Sequence, residues 1–424
     1  MKFWRWLYPG IGVKRWIFVM ALSVVLISAG VFLLTNFQPI GYLEELIIYI
    51  FSPLTGASPL LFEILTGILF IIIGLAGINI ALRKSLNALG EKGPYYEVAE
   101  HLYQQKVLQK GPNIVVLGGG TGLSTLLRGL KEFTSNITAI VTVADNGGSS
   151  GKLRSEMGML PPGDIRNCLV ALADAEPLMK ELFQYRFNSE GGLTGHNFGN
   201  LFIASLTDIL GDFEEAIRES SRVLAIRGKV LPSTNENIHL GAVYSDGSVV
   251  IGETDIPVVG KRIERVFLKP DTCQPAPGAL EEIEKADVII VGPGSLYTSI
   301  IPNLLIKDIA RAIKESSARK LYVCNVMTQP GETTGYSVSD HIKAIYAHSL
   351  EGLFEYVLVN NEKGSRKLAR KYEAEGAFPV PVDGDKVLKQ GVKVIGGNLL
   401  SEKEYLRHNS EELARIIFST IESG

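Results

Sequence analysis

The sequence predicts an α/β fold: a doubly wound, mostly parallel sheet with a β-hairpin insertion, preceded by an N-terminal transmembrane helical hairpin. Three observations carry this. From Pro112 onward, short apolar runs alternate with segments of helical periodicity, and strands separated by helices imply parallel pairing. Glycine-rich turns follow four of those runs. Ahead of residue 85, two long apolar runs stand apart from the pattern.

Ile17 to Thr35 is an unbroken run of apolar and small residues, and Ile64 to Leu82 is equally long. Each approaches the ~20 residues needed to span a bilayer. The first is too long for the apolar region of a signal peptide, and no small-x-small cleavage site follows it. Lys2, Arg5, Lys14 and Arg15 precede the first run, and Arg83 and Lys84 follow the second. No Lys or Arg lies between Trp16 and Leu82. The positive-inside rule therefore places both ends in the cytoplasm. Leu43 to Phe51 is too short to span and reads as a segment at the outer surface. The domain plan is a membrane hairpin over 1–84 with spans at 17–35 and 64–82, a polar linker over 85–111 with a short helix, and a cytoplasmic domain over 112–424. The alternative for the hairpin is a buried helical pair in a soluble core.

The 424 residues carry a net charge of −3, which argues against a duplex-DNA surface and predicts no nucleic-acid partner. Cys168, Cys273 and Cys324 are far apart in sequence. They offer no disulfide framework and no metal-ligand spacing, and a reducing cytoplasm fits them. The six histidines form no H-x-x-H-type pair, so no metal site is expected.

Strand-like runs are Ile114–Leu117, Ile137–Val143, Val288–Val291, Leu321–Cys324 and Tyr356–Val359. Helical segments are Leu123–Glu132, Ile165–Ala173, Leu178–Tyr185, Asn200–Leu210, Asp212–Ser221, Leu305–Ser316 and Asp340–Ala347. His239–Tyr244, Ser245-Asp246-Gly247 and Ser248–Gly252 read as the inserted hairpin with an Asp-Gly turn.

Ligands of open α/β sheets bind beyond the carboxyl ends of the strands. Four loops fall there. The first, Gly118 to Ser124, offers Gly119, Gly120, Thr121, Gly122 and Ser124. The second, Ala144 to Arg154, offers Asp145, Asn146, Gly147, Ser149 and Ser150. The third, Gly292 to Ser299, offers Gly292, Gly294, Ser295 and Tyr297. The fourth, Asn325 to Thr333, offers Asn325 and Thr328. Such turns point backbone N–H groups at an anion, and Asp145 is placed to accept from a sugar hydroxyl. The competing reading is that glycine-rich strand-to-helix turns are merely structural. The first loop lacks the sixth-position glycine of G-x-G-x-x-G and the Gly-Lys-Ser/Thr of a P-loop, which disfavours an ordinary dehydrogenase or ATPase.

Asp164, in Pro161-Pro162-Gly163-Asp164-Ile165-Arg166-Asn167, either caps a helix or faces the ligand with Arg166. Asn197 and Asn200, in Gly195-His196-Asn197-Phe198-Gly199-Asn200, are further candidates, with helix capping as the alternative. His196 is a candidate general base near ~6.5; a structural role is the alternative. No catalytic residue is assigned.

Gly118–Ser124, Ala144–Arg154, Pro161–Asn167, His196–Asn200, Arg227–Thr234, Gly292–Ser299 and Cys324–Ser337, in that order, resemble the gluconeogenesis-factor family (the YvcK type). That family is grouped with the archaeal 2-phospho-L-lactate transferases (the CofD type). The resemblance covers nearly all of 112–424. It implies a Rossmann-like fold and a cytoplasmic, nucleotide-binding regulator tied to cell shape and cell-wall precursor supply, with UDP-N-acetylglucosamine as ligand and a regulatory protein as partner. Tyr372 and Arg407-His408 resemble the family's late tyrosine and basic pair and are the candidates for the uracil and phosphate ends; a packed surface tyrosine and a solvated arginine are the alternatives. A homo-oligomer is compatible with the sequence. The transferase branch implies an alternative, an enzyme using a nucleotide diphosphate donor and Mg²⁺. The family carries two successive aspartates where this chain has Asp145-Asn146. The amide removes a charge that Mg²⁺ would use, which favours binding over transfer. The membrane hairpin is a second departure, since the compact members lack it.

Overall fold

The computed structural model of the chain describes residues 106–188, 191–362, 365–402 and 406–422, with positions 24, 41, 42 and 49 before them. The expected spans at 17–35 and 64–82, and most of the 85–111 linker, lie outside the described residues. Among the described residues no helix is long and apolar enough to cross a membrane. The unit described below is Leu108–Gly424.

In chain order the strands are β1 (Ile114–Gly118), β2 (Ile137–Val141), β3 (Lys229–Pro232), β4 (His239–Tyr244), β5 (Val249–Ile251), β6 (Ile263–Lys269), β7 (Val288–Val291), β8 (Arg319–Val323), β9 (Tyr356–Asn360), β10 (Lys393–Gly397), β11 (Leu400–Glu402) and β12 (Leu406–His408). Seven of them form one sheet in the order β10-β9-β8-β7-β1-β2-β3, and every pairing in it is parallel. Ile114 of β1 stands in register with Ile137 of β2 and Val288 of β7. These three strands are buried along their whole length, as a parallel sheet covered on both faces requires. That is why their sequences are unbroken apolar runs rather than alternating ones.

The chain leaves the centre in two directions, outward through β2 and β3 and then outward through β8, β9 and β10. Right-handed crossovers then put the two sets of helices on opposite faces. Helices Gly120–Leu130, Gly163–Leu172 and Ser410–Glu422 pack together in one set. Helices Ala279–Glu284, Lys307–Glu315, Ile301–Leu304, Val338–His348 and Gly384–Lys389 form the other. Helix Phe213–Val223 shows the local logic. Asp212 accepts from the Glu215 N–H at 2.7 Å, and Phe213, Ala216, Ile217 and Ser220 are buried at helical spacing.

The inserted hairpin forms as β4 and β5, and a third strand, β6, extends it to an antiparallel sheet of order β5-β4-β6. His348 ties this small sheet to the main body by accepting the Val266 N–H on Nε2 at 2.9 Å.

Two sequence expectations change. The second loop ends at Gly147, and Gly148–Met157 is helical. Its glycines and serines carry no amphipathic signal, and position 151 must be glycine because a Cβ there would come 2.0 Å from the Asn146 carbonyl oxygen. The helix expected over Leu305–Ser316 is Lys307–Glu315, after a π-helical turn Leu296–Ile300 and a short helix Ile301–Leu304. Edge strands β3 and β10 have exposed polar members and so lack the continuous apolar run that marks the central strands.

Candidate functional site

The strand order reverses between β1 and β7, the topological switch point where open α/β sheets bind ligands. The first and third loops leave these two strands and touch. A Cβ on Gly122 would lie 2.5 Å from the Pro293 carbonyl oxygen, and one on Gly294 would lie 3.2 Å from the Gly119 carbonyl oxygen. Glycine is needed here because backbone meets backbone. Gly120 adopts φ 63°, a left-handed conformation that glycine adopts without steric cost.

The fourth loop clamps the third. Asn325 Oδ1 accepts the Gly294 N–H at 3.2 Å, and its Nδ2 donates to the Gly294 carbonyl at 2.7 Å. Ser295 Oγ donates to Gln329 Oε1 at 2.8 Å, and Gln329 Nε2 donates to Glu332 Oε1 at 2.7 Å. Glu332 in turn accepts the Tyr297 N–H at 3.0 Å and the Thr298 hydroxyl at 3.2 Å.

Three helices begin at this end with no side-chain cap: Gly120–Leu130 after Gly119, Gly148–Met157 after Gly147, and Gly163–Leu172 after Pro162. Helices Phe198–Leu210, Phe213–Val223 and Val338–His348 are capped by Asn197, Asp212 and Ser337. Uncapped first-turn N–H groups with the positive end of the dipole favour an anion. Asp164 partly serves that need. It is no N-cap of its own helix; its carboxylate instead accepts from the Gly120 N–H of the neighbouring one.

Asp145 turns back to accept the Gly147 N–H at 2.8 Å, and Arg154 Nη1 holds the Asp145 carbonyl at 3.4 Å. Asn146 does not face the other loops: its Oδ1 accepts from the Thr254 N–H at 3.0 Å and hydroxyl at 3.2 Å. Thr254 follows β5, so Asn146 docks the antiparallel insertion against the second loop. The same insertion reaches the fourth loop, where a Cβ on Gly331 would lie 2.0 Å from the Pro257 carbonyl oxygen.

That docking brings in a carboxyl the sequence reasoning missed. Glu253 is pushed up to about 8, first by burial and then by Asp145, Asp164 and Glu332, with a hydrogen bond from Thr298 opposing. Burial pushes Glu332 up to about 7. Burial and then Asp145 raise Asp164 to about 6, against the Gly120 N–H and Arg166. A legible signal exists: Gly-Glu-Thr occurs at 252–254 and again at 331–333, with both glycines at positive φ.

The other sequence candidates are placed as follows. Ser124 Oγ donates within its own helix, to the Thr121 carbonyl at 3.0 Å. Ser149 Oγ lies 3.3 Å from His196 Nδ1 and accepts the Asn197 N–H at 3.2 Å. Asn197 caps its helix through the Asn200 N–H at 3.2 Å. Ser150 is buried beside Gly163. Tyr297 is buried, its hydroxyl 2.8 Å from that of Tyr336. Thr328 Oγ1 accepts the Phe378 N–H at 2.9 Å. Gly292 lies at φ 81° under the third loop. Tyr372 is half-buried on helix Arg366–Ala374. Arg407 lies on β12, and its side chain is outside what is described. His408 corrects the idea of a basic pair: it is buried, and burial depresses its imidazole to about 4, so it is uncharged at neutral pH. A cavity of about 670 Å³ opens elsewhere, beside β3 and helix Phe213–Val223, and none of the four loops lines it.

The family described as 2-phospho-L-lactate transferase CofD matches residues 114–400. The gluconeogenesis factor of Bacillus subtilis is 51% identical over 307 residues, covering 72% of this chain and 97% of that one. A Nostoc relative with a gluconeogenesis-factor description is 46% identical over 422 residues, covering 98% of this chain and 92% of its own. Its match therefore extends into the segment before Leu108. A crystal structure of a Bacillus halodurans protein described as a member of the upf0052 family superposes with a TM-score of 0.71 at 53% identity, over 73% of this chain and 99% of that one. The seven-stranded parallel sheet, its loops and these similarities show that the chain belongs to the gluconeogenesis-factor family and is built on a CofD-type domain.

Proposed function

We propose that this chain is a membrane-anchored, cytoplasm-facing regulator that binds a nucleotide sugar of the UDP-N-acetylglucosamine type at the β1/β7 switch point. In this reading occupancy is relayed to a protein partner that governs cell-wall precursor supply and cell shape. The observation that carries the binding step is the meeting of three helix starts, none capped by the side chain of its own N-cap residue, with the touching loops Gly118–Ser124 and Gly292–Ser299. Backbone N–H groups at helix starts suit a diphosphate. Tyr372 and Arg407 are the residues proposed for the uracil and phosphate ends. The membrane anchor rests on the apolar runs 17–35 and 64–82 and their basic flanks.

A transferase is the second reading, favoured by the CofD description. Asn146 no longer argues against it, because its amide is engaged with Thr254 and because Glu253 and Glu332 supply carboxyls from elsewhere. The fit to a divalent cation is nevertheless poor. Among the described residues no three His, Cys, Asp or Glu side chains are grouped to hold a metal ion.

One experiment separates the two. The full chain in detergent is titrated with UDP-N-acetylglucosamine, with and without Mg²⁺, and the ligand is then recovered. Saturable binding with intact ligand is expected. Turnover would replace the regulator by the transferase, and absence of binding would remove the nucleotide-sugar assignment. Release of the protein from membranes by alkaline washing would remove the anchor.

A further inference from the structure

Arg166 is held in an electrostatically unfavourable place. It stands in the first turn of helix Gly163–Leu172, where the helix dipole disfavours a cation. Its stem passes over Gly199, where a Cβ would come 2.8 Å from the arginine Cδ. Its Nη1 donates to Asn200 Oδ1 at 2.9 Å and its Nη2 to Asn167 Oδ1 at 2.7 Å. Both acceptors are neutral amides. Nε is buried without a partner.

A second guanidinium is brought alongside. Arg186 forms an antiparallel bridge with Asn197, three residues before the Asn200 that holds Arg166. Its Nη1 donates to the Gly195 carbonyl at 2.7 Å, and Lys152 Nζ reaches the Thr194 carbonyl of the same turn at 3.2 Å. Neither guanidinium makes an ion pair with a carboxylate among the described residues. Burial, and then Arg186, lower Arg166 to about 10, while Asp164 and Asp145 attract it only from a distance. It remains charged at neutral pH. A cation withdrawn partly from water is ordinarily paired, and here the only hydrogen-bond acceptors among the described residues are amides and backbone.

We propose that Arg166 and Arg186 form an oxyanion subsite of the switch-point site, taking a compact phosphate or carboxylate group of the ligand. Arg166 is the anchor, pre-oriented by Asn200 and Asn167; Arg186 is exposed and closes on the anion from solvent. This rests on the reading that the switch point is a ligand site. It gives Asn200, Asn167 and Gly199 a shared role, namely fixing a guanidinium fork for charge-assisted contacts.

The test is thermal unfolding of the full chain titrated with inorganic phosphate, acetate or chloride at constant ionic strength. Phosphate or acetate is expected to raise the Tm of the wild type beyond the effect of chloride, and the anion that does so identifies the group bound. Arg166→Gln should weaken that anion ~10-fold or more. Arg186→Gln should weaken it less and, without anion, should leave the protein at least as stable as wild type, because a like charge has gone. If Arg166→Gln does not fold, the Arg186→Gln titration decides. Equal responses of wild type and variant, or no response of wild type, would overturn the subsite. The nucleotide-sugar reading fails separately: if UDP-N-acetylglucosamine does not bind wild type while the Arg166-dependent anion shift persists, the subsite stands without it.

Discussion

Asn325 grips Gly294 from both sides, accepting the glycine N–H at 3.2 Å and donating to its carbonyl at 2.7 Å. One side-chain amide thus satisfies both backbone groups of a residue in the third loop, and it does so from the loop after β8. Asn325→Asp keeps the shape but cannot donate to the carbonyl, and places a charge against it. A loss of about 1–3 kcal/mol is expected, read as a lower urea midpoint at unchanged slope. A wild-type midpoint would show that the pairing does not hold the loops.

Two glycines of the first loop should fail for different reasons. A Cβ on Gly122 would meet the Pro293 carbonyl oxygen at 2.5 Å, whereas one on Gly120 would find only Ser299 Oγ at 3.7 Å. Gly120→Ala therefore costs mainly the left-handed backbone, about 1 kcal/mol. Gly122→Ala must separate the loops and should lower Tm further while abolishing ligand binding. Gly192, with nothing within 4 Å, is the control, and Gly192→Ala should be silent. Equal effects of Gly120→Ala and Gly122→Ala would mean the loops are not in backbone contact.

Glu253 and Glu332 give the fold a pH dependence with a definite sign. Their ordinary value is 4.5, and the folded values are about 8 and about 7. Between these limits the native state holds more protons than the unfolded chain, so their contribution to stability falls as pH rises. Below 4.5 both states are protonated and the contribution is constant. Glu253→Gln and Glu332→Gln should therefore gain on the wild type from pH ~5 to ~8, measured as the difference in urea midpoint. A difference independent of pH would mean that these carboxyls are ionised normally.

Arg407 and Tyr372 test the family-based assignment of the ligand's ends. If Arg407 holds a phosphate, Arg407→Ala should weaken UDP-N-acetylglucosamine ~10-fold to 150-fold. Tyr372→Ala should weaken it by a comparable ~5-fold to 150-fold, since stacking on one base is worth ~1–3 kcal/mol. Calorimetry on each variant measures this, and unchanged affinity would take that residue out of the site.

The parallel sheet was legible because β1, β2 and β7 are buried on both faces, so their sequences are apolar at every position. The strand-end loops were legible because each follows such a run and carries glycine where backbone must approach backbone. β3, β10 and the helix Gly148–Met157 were not, since edge strands keep polar members and that helix, Gly-Ser-Ser-Gly at its start, has no apolar periodicity.

The sequence by itself determined the α/β class, the order of loops at the strand ends and their family, because local periodicity and glycine placement are written residue by residue. Only the tertiary structure decided what each polar group does. Asn146 serves Thr254, Asp164 accepts the Gly120 N–H of a helix other than its own, and Glu253 arrives at the site from the loop after β5. These pairings join residues tens to more than a hundred positions apart. A side chain's partner, and hence its charge state, is set by through-space distance and burial, which no local pattern encodes.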